Sequence, residues 1–485
     1  MFNWIGTKCT RRRFLELSGA TVSVLPLAAK AGPASLLGSS ANAFSLRAAP
    51  GRAQLGHGET VDATVWAYNG STPGPEIRVR QGERLRVKVQ NFLSENTTVH
   101  WHGVRTPNRM DGVPDLTQAP IAPGEEFFYE FDAKDAGTFW YHPHQRSFEQ
   151  VGRGLYGPLI VEEPEPPKVD REVVWMLDDW RLTPDGQISE DFGNRHDMSH
   201  NGRVGNVVTI NGRRDRTFGV RPNERIRLRL INAANARIFG LDFKGHTPRV
   251  VALDGQPVTP HAPKDDMVVL GPAMRADLIL DMTDKPGVRH RVIDRFYSGL
   301  EYELIELTYG ETPLRPKAPD WPVPQLPANP LREPSLDHAI RHEIVFNGGM
   351  MGGDYMARLG GKMPDRTASM MGMMHADNIW FLNGVAATGH VMDPMLTLAR
   401  DRSHVVTLKN ATAWRHPMHL HGHSFRVLTR NGAPTAHREW QDTVLMAPGE
   451  TVEIAFVADN PGDWMFHCHI LEHQASGMMG VVRVA

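Results

Sequence analysis

Polar and apolar residues alternate in three short stretches of the chain that resemble one another, and the alternation is strict in the first of them. These stretches are residues 84–89, 225–230 and 404–409, and an asparagine follows each of them closely. Alternation with a period of two puts one set of side chains on a core and the other set toward water. Each stretch therefore predicts a half-buried strand in an antiparallel sheet.

The surroundings of each stretch also repeat, which is the sign of duplicated domains. A Pro or Gly turn and a second apolar-rich strand follow in each copy, at residues 126–131, 276–280 and 452–456. Proline-rich segments separate the copies, and the longer one has eight prolines within residues 313–334. We therefore expect an all-β chain of three consecutive sandwich or barrel domains. Their expected limits are residues 44–165, 170–312 and 341–485, with a proline-rich linker at 313–340.

Composition narrows the classes of function. The length of 485 residues exceeds what one hydrophobic core supports, and 45 Gly and 36 Pro argue against a helical bundle. The 53 Lys and Arg nearly balance the 55 Asp and Glu, for a net charge of -2. Because there is no basic excess to attract phosphates, a nucleic-acid partner is not expected.

Residues 1–43 predict an export signal rather than part of the fold. They carry Arg11-Arg12-Arg13 before a moderately apolar stretch, and then Ala41-Asn42-Ala43. This order is similar to a twin-arginine signal with a small-residue cleavage site; a disordered basic N-terminus is the alternative. The apolar stretch is too short and too interrupted for a permanent membrane anchor. We expect export by the twin-arginine machinery to the periplasm, as a soluble monomer.

The 23 histidines include five His-x-His pairs, whereas random placement would give about one. The pairs are His100/His102, His142/His144, His419/His421, His421/His423 and His467/His469. Residues two apart on a strand share a face, so each pair aims two imidazoles at one point; a structural role is the alternative for any single pair. The first repeat holds two pairs, the third holds the others, and the middle repeat has none. A shared metal centre must then lie between the first and third domains, with the second as a spacer.

The tripeptide His467-Cys468-His469 predicts a second metal site beside the first. Since Cys9 lies within the signal, Cys468 stands alone in an oxidising compartment, where a free thiol needs burial or a soft metal. On an extended strand the two imidazoles face one side and the sulfur faces the other. On the sulfur side Cys468 can join His416, His473 and Met478, which is the ligand set of a blue-copper site. Zinc would gain nothing from the methionine.

Four stretches resemble the copper motifs of the multicopper oxidases, in the order that this family has them. They are His100-Trp101-His102-Gly103, His142-Pro143-His144, residues 416–423, and His467-Cys468-His469 followed by His473 and Met478. The resemblance covers the chain from about residue 50 to the end, and it implies cupredoxin-like Greek-key domains and four copper ions. By this resemblance the type 1 ligands are His416, Cys468, His473 and axial Met478, the type 2 ligands are His100 and His419, and the ligands of the two type 3 ions are His102, His142, His144, His421, His467 and His469.

The resemblance also implies a reaction. A reducing substrate gives single electrons to the type 1 copper, and Cys468 delivers them to the other three ions, where dioxygen becomes two waters. An acid for proton supply is expected at Asp111, although a turn aspartate before glycine is the alternative. Members of the copper-tolerance branch often have a carboxylate directly after the second type 1 histidine. This chain has Gln474 there, with Glu472 as a substitute acid.

A methionine-rich segment bears on the substrate. Residues 350–374 hold eight of the 22 methionines, interleaved with paired glycines, and Met350, Met351 and Met356 are candidate substrate contacts. The glycines forbid a stable helix, so an exposed thioether-rich segment is expected rather than core; a floppy linker is the alternative. Soft sulfur selects cuprous copper, and similar inserts mark the cuprous oxidases of copper tolerance. We therefore expect oxidation of Cu(I) to Cu(II).

Three other functions are weighed against this one. Residues 412–415 lack the acidic and Met residues that copper-tolerance members often carry there, and Trp414 would suit a laccase-like phenol oxidase as a stacking wall. A buried structural tryptophan is equally ordinary. A non-enzymatic periplasmic copper-binding protein on the same fold would have lost ligands, whereas this chain keeps the full set. A copper nitrite reductase needs fewer His-x-His motifs.

Overall fold

A computed structural model describes residues 42–55, 62–350, 379–387 and 393–485. The expected signal, apart from its last two residues, and most of the methionine-rich segment, including Met351 and Met356, lie outside the described residues. Within the described part the chain is almost entirely β-structure, which confirms the expected fold class. No helix among the described residues is long and apolar enough to cross a membrane.

The strands pair within three consecutive stretches, and each stretch forms two sheets. In the first stretch the sheet orders are β2-β1-β4-β6 and β3-β8-β7-β5. Leu46 and Val87 of one sheet share a core with Phe139 and Leu159 of the other. The strands are β1 (Ala43–Ala53), β2 (Ala63–Tyr68), β3 (Ile77–Arg80), β4 (Arg84–Asn91), β5 (His100–His102), β6 (Glu126–Asp132), β7 (Gly137–His142) and β8 (Gly157–Glu162).

The second stretch has a six-stranded sheet of order β10-β9-β12-β17-β14-β15 and a five-stranded sheet of order β11-β19-β18-β13-β16. Leu228 and Leu241 come from different sheets and share its core. The strands are β9 (Arg171–Trp180), β10 (Val207–Ile210), β11 (Thr217–Val220), β12 (Glu224–Asn232), β13 (Phe239–Phe243), β14 (Arg249–Leu253), β15 (Gln256–His261), β16 (Val268–Leu270), β17 (Arg275–Met282), β18 (Arg289–Asp294) and β19 (Tyr302–Tyr309).

The third stretch has a sheet of order β21-β20-β23-β29-β25-β26, with β27 also paired to β25, and a second sheet of order β22-β31-β30-β24-β28. Leu408 and Phe466 come from different sheets and share its core. The strands are β20 (Ile340–Gly348), β21 (Trp380–Leu382), β22 (Pro394–Leu398), β23 (Ser403–Asn410), β24 (His416–Leu420), β25 (Phe425–Arg430), β26 (Ala433–Pro434), β27 (Trp440–Gln441), β28 (Thr443–Met446), β29 (Thr451–Val457), β30 (Gly462–Cys468) and β31 (Met479–Val484).

In the part of the chain that the structure describes, helical structure is confined to short connecting segments. The described part of the proline-rich linker contains no strand between Tyr309 and Ile340. The α-helices are α1 (Ser147–Gln150), α2 (Arg195–Ser199) and α3 (Leu471–Ala475), and the 3-10 helices are Asn108–Met110, Lys264–Asp266 and Leu336–His338.

The first alternating stretch forms the strand that its pattern predicts. In β4 the apolar residues Leu85, Val87 and Val89 are buried. The intervening Arg84 and Arg86 face solvent and form ion pairs with carboxylates of β6. One face of β4 therefore lies on the core and the other faces water, as expected from a period of two.

The expectation of purely antiparallel pairing is wrong on one side of each repeated strand. β4, β12 and β23 run antiparallel to β6, β17 and β29. On their other side they run parallel to β1, β9 and β20. In each case the chain between the parallel partners passes through a strand of the other sheet, and such a crossover is what parallel pairing needs. Alternation alone reports the two faces of a strand and not the direction of its neighbours.

The expectation that one face of the second repeated strand lies toward water is also wrong, because β12 is buried along its whole length. Its arginine face packs against the first stretch of the chain. Arg227 donates to Glu163 and Asp277, at 2.6 and 2.7 Å. Arg229 donates to Thr138 and Asp277, at 2.8 and 3.0 Å. The arginines at the polar positions of the pattern therefore form a charged contact between the second stretch and the first.

Replacing Arg227 tests this contact. Arg227→Met leaves buried Glu163 without its hydrogen-bonded cation and Asp277 with Arg229 alone, and breaking a buried pair costs about 3–5 kcal/mol. We expect a lower urea-unfolding midpoint by tryptophan fluorescence. Arg213→Met is the matched control, because Arg213 pairs with Asp215 at 73% side-chain exposure and such a pair contributes about 0–1 kcal/mol. Equal midpoints for the two variants would contradict a stabilising buried network.

Candidate metal centre

Histidines from the two ends of the chain meet in one buried space, as the sequence predicted. Strand pairing begins this convergence, because His100 lies opposite His142 between β5 and β7, and His419 lies opposite His467 between β24 and β30. The ring nitrogens of each group lie within 4.8 Å of one another. The groups are His102/His142/His469, His144/His421/His467, His100/His102/His419 and His100/His142/His144.

Main-chain carbonyls fix which nitrogen of these rings carries the proton. His100 Nδ1 donates to the Asp111 carbonyl at 2.7 Å, and His419 Nδ1 donates to the Asp442 carbonyl at 2.9 Å. Because a carbonyl can only accept, Nε2 of each neutral ring keeps its lone pair. Both Nε2 atoms are buried and have no hydrogen-bond partner among the described residues. Such nitrogens fit a metal ion that lies between them.

We call His102/His142/His469 and His144/His421/His467 the two three-histidine groups. One ring of each group shows the same arrangement. His142 Nδ1 donates to the Pro143 carbonyl at 3.1 Å, and His467 Nδ1 donates to the Cys468 carbonyl at 2.9 Å. Burial lowers the pKa of both rings well below the usual value, so they are neutral. His467 Nε2 lies 3.1 Å from His421 Nε2, a spacing at which a shared cation removes the repulsion of lone pairs. This donor set fits copper.

A thiolate site lies beside the histidine pocket. Cys468 Sγ is 3.5 Å from His416 Nδ1 and 3.8 Å from His473 Nδ1. Met478 is fully buried, and its carbonyl accepts from Cys468 N at 3.0 Å. Thr412 Oγ1 accepts from His416 Nε2 at 2.8 Å, which leaves Nδ1 free for the site. Burial raises the pKa of the Cys468 thiol, so a bound cation is needed to hold the thiolate form.

Asp111 lies directly behind the pocket. Its Oδ2 accepts from His421 Nδ1 at 2.8 Å, and its carbonyl accepts from His100 Nδ1. Oδ1 is buried without a hydrogen-bond partner among the described residues, 3.3 Å from His100 Nδ1. The residue therefore touches two pocket histidines, although the sequence left a turn aspartate as the alternative.

Gln474 and Glu472 lie on α3 and point in different directions. The Gln474 amide is 3.4 Å from His144 Nδ1 and accepts from Ser147 Oγ at 3.3 Å. Glu472 Oε1 instead accepts from Asn235 Nδ2 at 3.0 Å, and burial raises the pKa of its carboxyl. Among the described residues no hydrogen bond joins the Glu472 side chain to a pocket histidine. The α3 side chain next to the pocket is thus the amide of Gln474 and not a carboxylate.

His423 belongs to the His421/His423 pair and lies outside the pocket. It is buried against Phe456 and Trp464, and Asn460 N donates to its Nε2 at 3.4 Å. Its Nδ1 donates to the His421 carbonyl at 3.3 Å. This histidine has the structural role that the sequence left open for any single pair.

Two residues that carry no motif hold the pocket from behind. Asp442 Oδ1 accepts from His102 Nε2 at 3.2 Å. Arg275 from β17 donates to both carboxylate oxygens of Asp442, at 2.8 and 2.6 Å, and all three side chains are buried. The expectation that the middle domain is only a spacer is therefore wrong, because its arginine supports a histidine of the first domain through an aspartate of the third. No short sequence motif identifies Asp442 or Arg275 as part of the site.

Trp414 lines an open cavity of about 640 Å³ rather than the copper pocket itself. Its ring lies edge-on to that of His200, with centroids 5.4 Å apart. Trp414 Nε1 donates to the Met350 carbonyl at 2.9 Å, and Met350 N donates to the Ser199 carbonyl at 3.0 Å. The cavity is therefore bounded by the second and third stretches, and the methionine-rich segment begins at its edge.

Comparison with known proteins agrees with this geometry. Three family models described as multicopper oxidase match residues 52–166, 171–290 and 362–485. The multicopper oxidase MmcO of Mycobacterium tuberculosis is 31% identical over 466 residues, which cover 88% of this chain and 84% of that protein. Laccase-2 of Fomitopsis schrenkii is 30% identical, covering 86% and 85%.

Solved structures show the same fold. A multicopper oxidase from Pseudomonas thermotolerans aligns with a TM-score of 0.80 at 34% identity, covering 91% of this chain and 99% of that one. A Campylobacter jejuni multicopper oxidase, described as a metallo-oxidase, aligns with a TM-score of 0.75 at 26% identity, covering 92% and 93%.

These matches define the class of the protein as a copper-dependent oxidoreductase that uses dioxygen as its electron acceptor. The chain belongs to the multicopper oxidase family. The family, the cupredoxin domains and the enzyme class that the sequence predicted are thereby confirmed, and the non-enzymatic alternative is set aside.

Removing Arg275 tests its support of the pocket. We expect Arg275→Met to lower the rate of dioxygen uptake by about 10- to 100-fold, because the charge of Asp442 loses its partner and His102 is less firmly held. Arg225→Met is the control, since Arg225 is buried and pairs with Asp281 at 2.6 Å away from the pocket. Equal losses in the two variants, measured with an oxygen electrode, would show a general folding effect instead.

Proposed function

We propose that the enzyme oxidises Cu(I) to Cu(II) outside the cytoplasm, in copper tolerance, with dioxygen as the oxidant. One observation carries this choice. His473, beside the thiol, is fully buried, and its Nε2 donates to the His200 carbonyl at 2.7 Å. No reductant can therefore touch this ring edge, and the electron must enter through His200, whose imidazole is a ligand for a metal ion but not for a phenol. The thioethers of residues 350–374 add a means of selecting Cu(I).

We assign four copper ions to the residues that fit them. When bound, copper takes single electrons at the thiolate site and supplies the reduction of dioxygen to water at the histidine pocket. The proposed ligands are His416, Cys468, His473 and Met478 for one ion, His100 and His419 for the second, His102, His142 and His469 for the third, and His144, His421 and His467 for the fourth.

The chain itself supplies the connection between the two sites. Cys468 lies between His467 and His469, which belong to different three-histidine groups. An electron that leaves the sulfur therefore reaches either group through a few covalent bonds. We assign proton supply to Asp111, because its carboxylate already contacts His421 and His100. Glu472 contacts Asn235 instead, and Gln474 cannot donate a proton as an acid does.

Export by the twin-arginine machinery and a monomeric state in the periplasm belong to the same proposal. The support is the sequence of residues 1–43, with its three arginines, apolar stretch and small-residue site. A buried thiol with a raised pKa suits such an oxidising compartment, because little thiolate is available to oxidants until a metal binds.

A laccase-like oxidation of phenols is the second candidate. The cavity of about 640 Å³ with Trp414 at its edge is large enough for an aromatic ring. Relatives named laccases fall among the proteins that the chain matches. A phenol in this cavity would lie against His200 and not against His473.

Replacing the thiol tests the copper assignment. We expect Cys468→Ser to bind one copper ion fewer per chain and to lose the intense blue absorption, because a hydroxyl cannot supply the copper–thiolate bond. Copper analysis and a visible spectrum measure both effects. The matched control is Ser476→Ala, a buried residue of similar size on α3's C-terminal side. A blue Cys468→Ser protein with full copper content would contradict the assignment.

Deleting residues 350–374 tests the substrate. We expect kcat/KM for Cu(I) to fall by about tenfold or more, because the thioethers that select the ion are lost. The rate with 2,6-dimethoxyphenol is expected to rise, since Met350, which contacts Trp414 at the edge of the cavity, is removed. Oxygen uptake with each reductant gives both values. Unchanged oxidation of Cu(I) together with unchanged oxidation of the phenol would refute a role for the segment.

A further inference from the structure

The cavity beside Trp414 contains two imidazoles that the copper pocket does not use. His196 is the second residue of α2 and His200 directly follows its last residue, and their rings stack at 4.2 Å between centroids with an interplanar angle of 7°. His196 is 78% exposed at its side chain, and His200 is half-buried. Histidines four residues apart at a helix end are neighbours, which is the spacing of a two-imidazole metal site.

The acidic groups of the cavity are already occupied. Arg181 donates to Asp197 at 2.6 and 3.0 Å and to Asp191 at 2.9 Å. Arg203 donates to the other oxygen of Asp191 at 2.6 Å, and Asn194 caps α2 by accepting from Asp197 N at 2.9 Å. These contacts hold α2 in place and neutralise both carboxylates. The imidazoles are therefore the groups in the cavity that are suited to a soft or borderline metal ion.

Hydrogen bonds also fix the tautomer of His200. Its Nδ1 lies 3.0 Å from the His196 carbonyl and 2.9 Å from Ser199 Oγ. The carbonyl can only accept, and the Ser199 hydroxyl donates to the Arg195 carbonyl at 2.7 Å, so both groups accept from Nδ1. The lone pair of the neutral ring then lies on Nε2. A ring whose Nδ1–H is held by a carbonyl is the usual form of a metal-binding histidine.

His200 connects this pair to the thiolate site. Its carbonyl accepts from His473 Nε2 at 2.7 Å, and His473 Nδ1 is 3.8 Å from Cys468 Sγ. From a metal ion on the His200 ring, the path to His473 therefore runs through the covalent bonds of His200 and one hydrogen bond. No other residue needs to move for an electron to follow this path.

We propose that His196 and His200 hold the cuprous ion while it is oxidised, with Trp414 bounding the site; this inference rests on the proposed function. A metal–imidazole bond of about 2.0 Å lets one ion bridge two nitrogens about 4 Å apart. The exposed His196 ring reaches such an ion by giving up its stacking on His200 and the 3.8 Å approach of its Nδ1 to Asp197 Oδ1. Imidazoles favour Cu(II) more than thioethers do, so the ion loses its electron more readily here than on methionine. Each Cu(I) leaves as Cu(II), and four electrons with four protons reduce one dioxygen to two waters.

Two measurements on the copper-loaded full chain test the site. In the first, the fully reduced enzyme is titrated anaerobically with Cu(I) against the chelator bicinchoninate. We expect His196→Gln and the double variant His196→Gln/His200→Gln to bind the additional Cu(I) at least about tenfold more weakly than the wild type. In the second, the ratio of oxygen-uptake rates with Cu(I) and with ferrocyanide, which needs no metal-binding site, is expected to fall by a similar factor.

A matched control is available in another stacked pair. His261 and His437 lie 3.8 Å apart between ring centroids with an interplanar angle of 19°, far in sequence from α2. His261→Gln/His437→Gln is expected to leave both readouts at the wild-type value. Losses as large as those of the His196 and His200 variants would overturn the proposal, since any exposed pair would then suffice.

The two proposals fail in different ways. If the wild type oxidises Cu(I) and the double variant keeps its affinity and its rate ratio, the His196/His200 site is refuted and cuprous oxidation stands. If the wild type uses ferrocyanide but not Cu(I), the proposed function fails. The oxidation site then fails with it, and the titration shows only whether His196 and His200 bind Cu(I).

Discussion

The structure depends on one constraint: buried imidazoles from both ends of the chain must each keep a lone pair directed into a common space. A neutral ring has one donor and one acceptor nitrogen, so the donor must be satisfied on the outer side. The carbonyls of Asp111 and Asp442 meet this need for His100 and His419. Because those carbonyls belong to specific turns and strands, the sheets around the pocket have to be held rigidly.

The middle third of the chain provides much of that rigidity. Arg227 and Arg229 fasten it to the first third through a buried charged network, and Arg275 fastens it to the third through Asp442. Charges this deeply buried are costly to leave unpaired, so each network favours one arrangement of the domains. The middle third, which contributes Arg275 rather than a pocket histidine, therefore still supports the geometry of the histidine pocket.

Access to the thiolate site is decided by the same middle third. The His200 carbonyl covers the ring edge of His473, and the cavity outside it is lined by His196, His200 and Trp414. A reductant in this cavity contacts His196, His200 or Trp414 before it reaches the buried His473.

The sequence by itself determined the strands, the repeats and the candidate ligands, because these follow from patterns that span only a few residues. Alternation in residues 84–89 sets the two faces of β4, and His467-Cys468-His469 carries both kinds of donor on one strand. Tertiary structure alone decided the parallel neighbours, the burial of Arg227 and the contact of His102 with Asp442. That contact joins residues 340 positions apart, and neither of its members carries a local signal of the other. Such contacts depend on how whole sheets pack, and short-range periodicity contains no information about that packing.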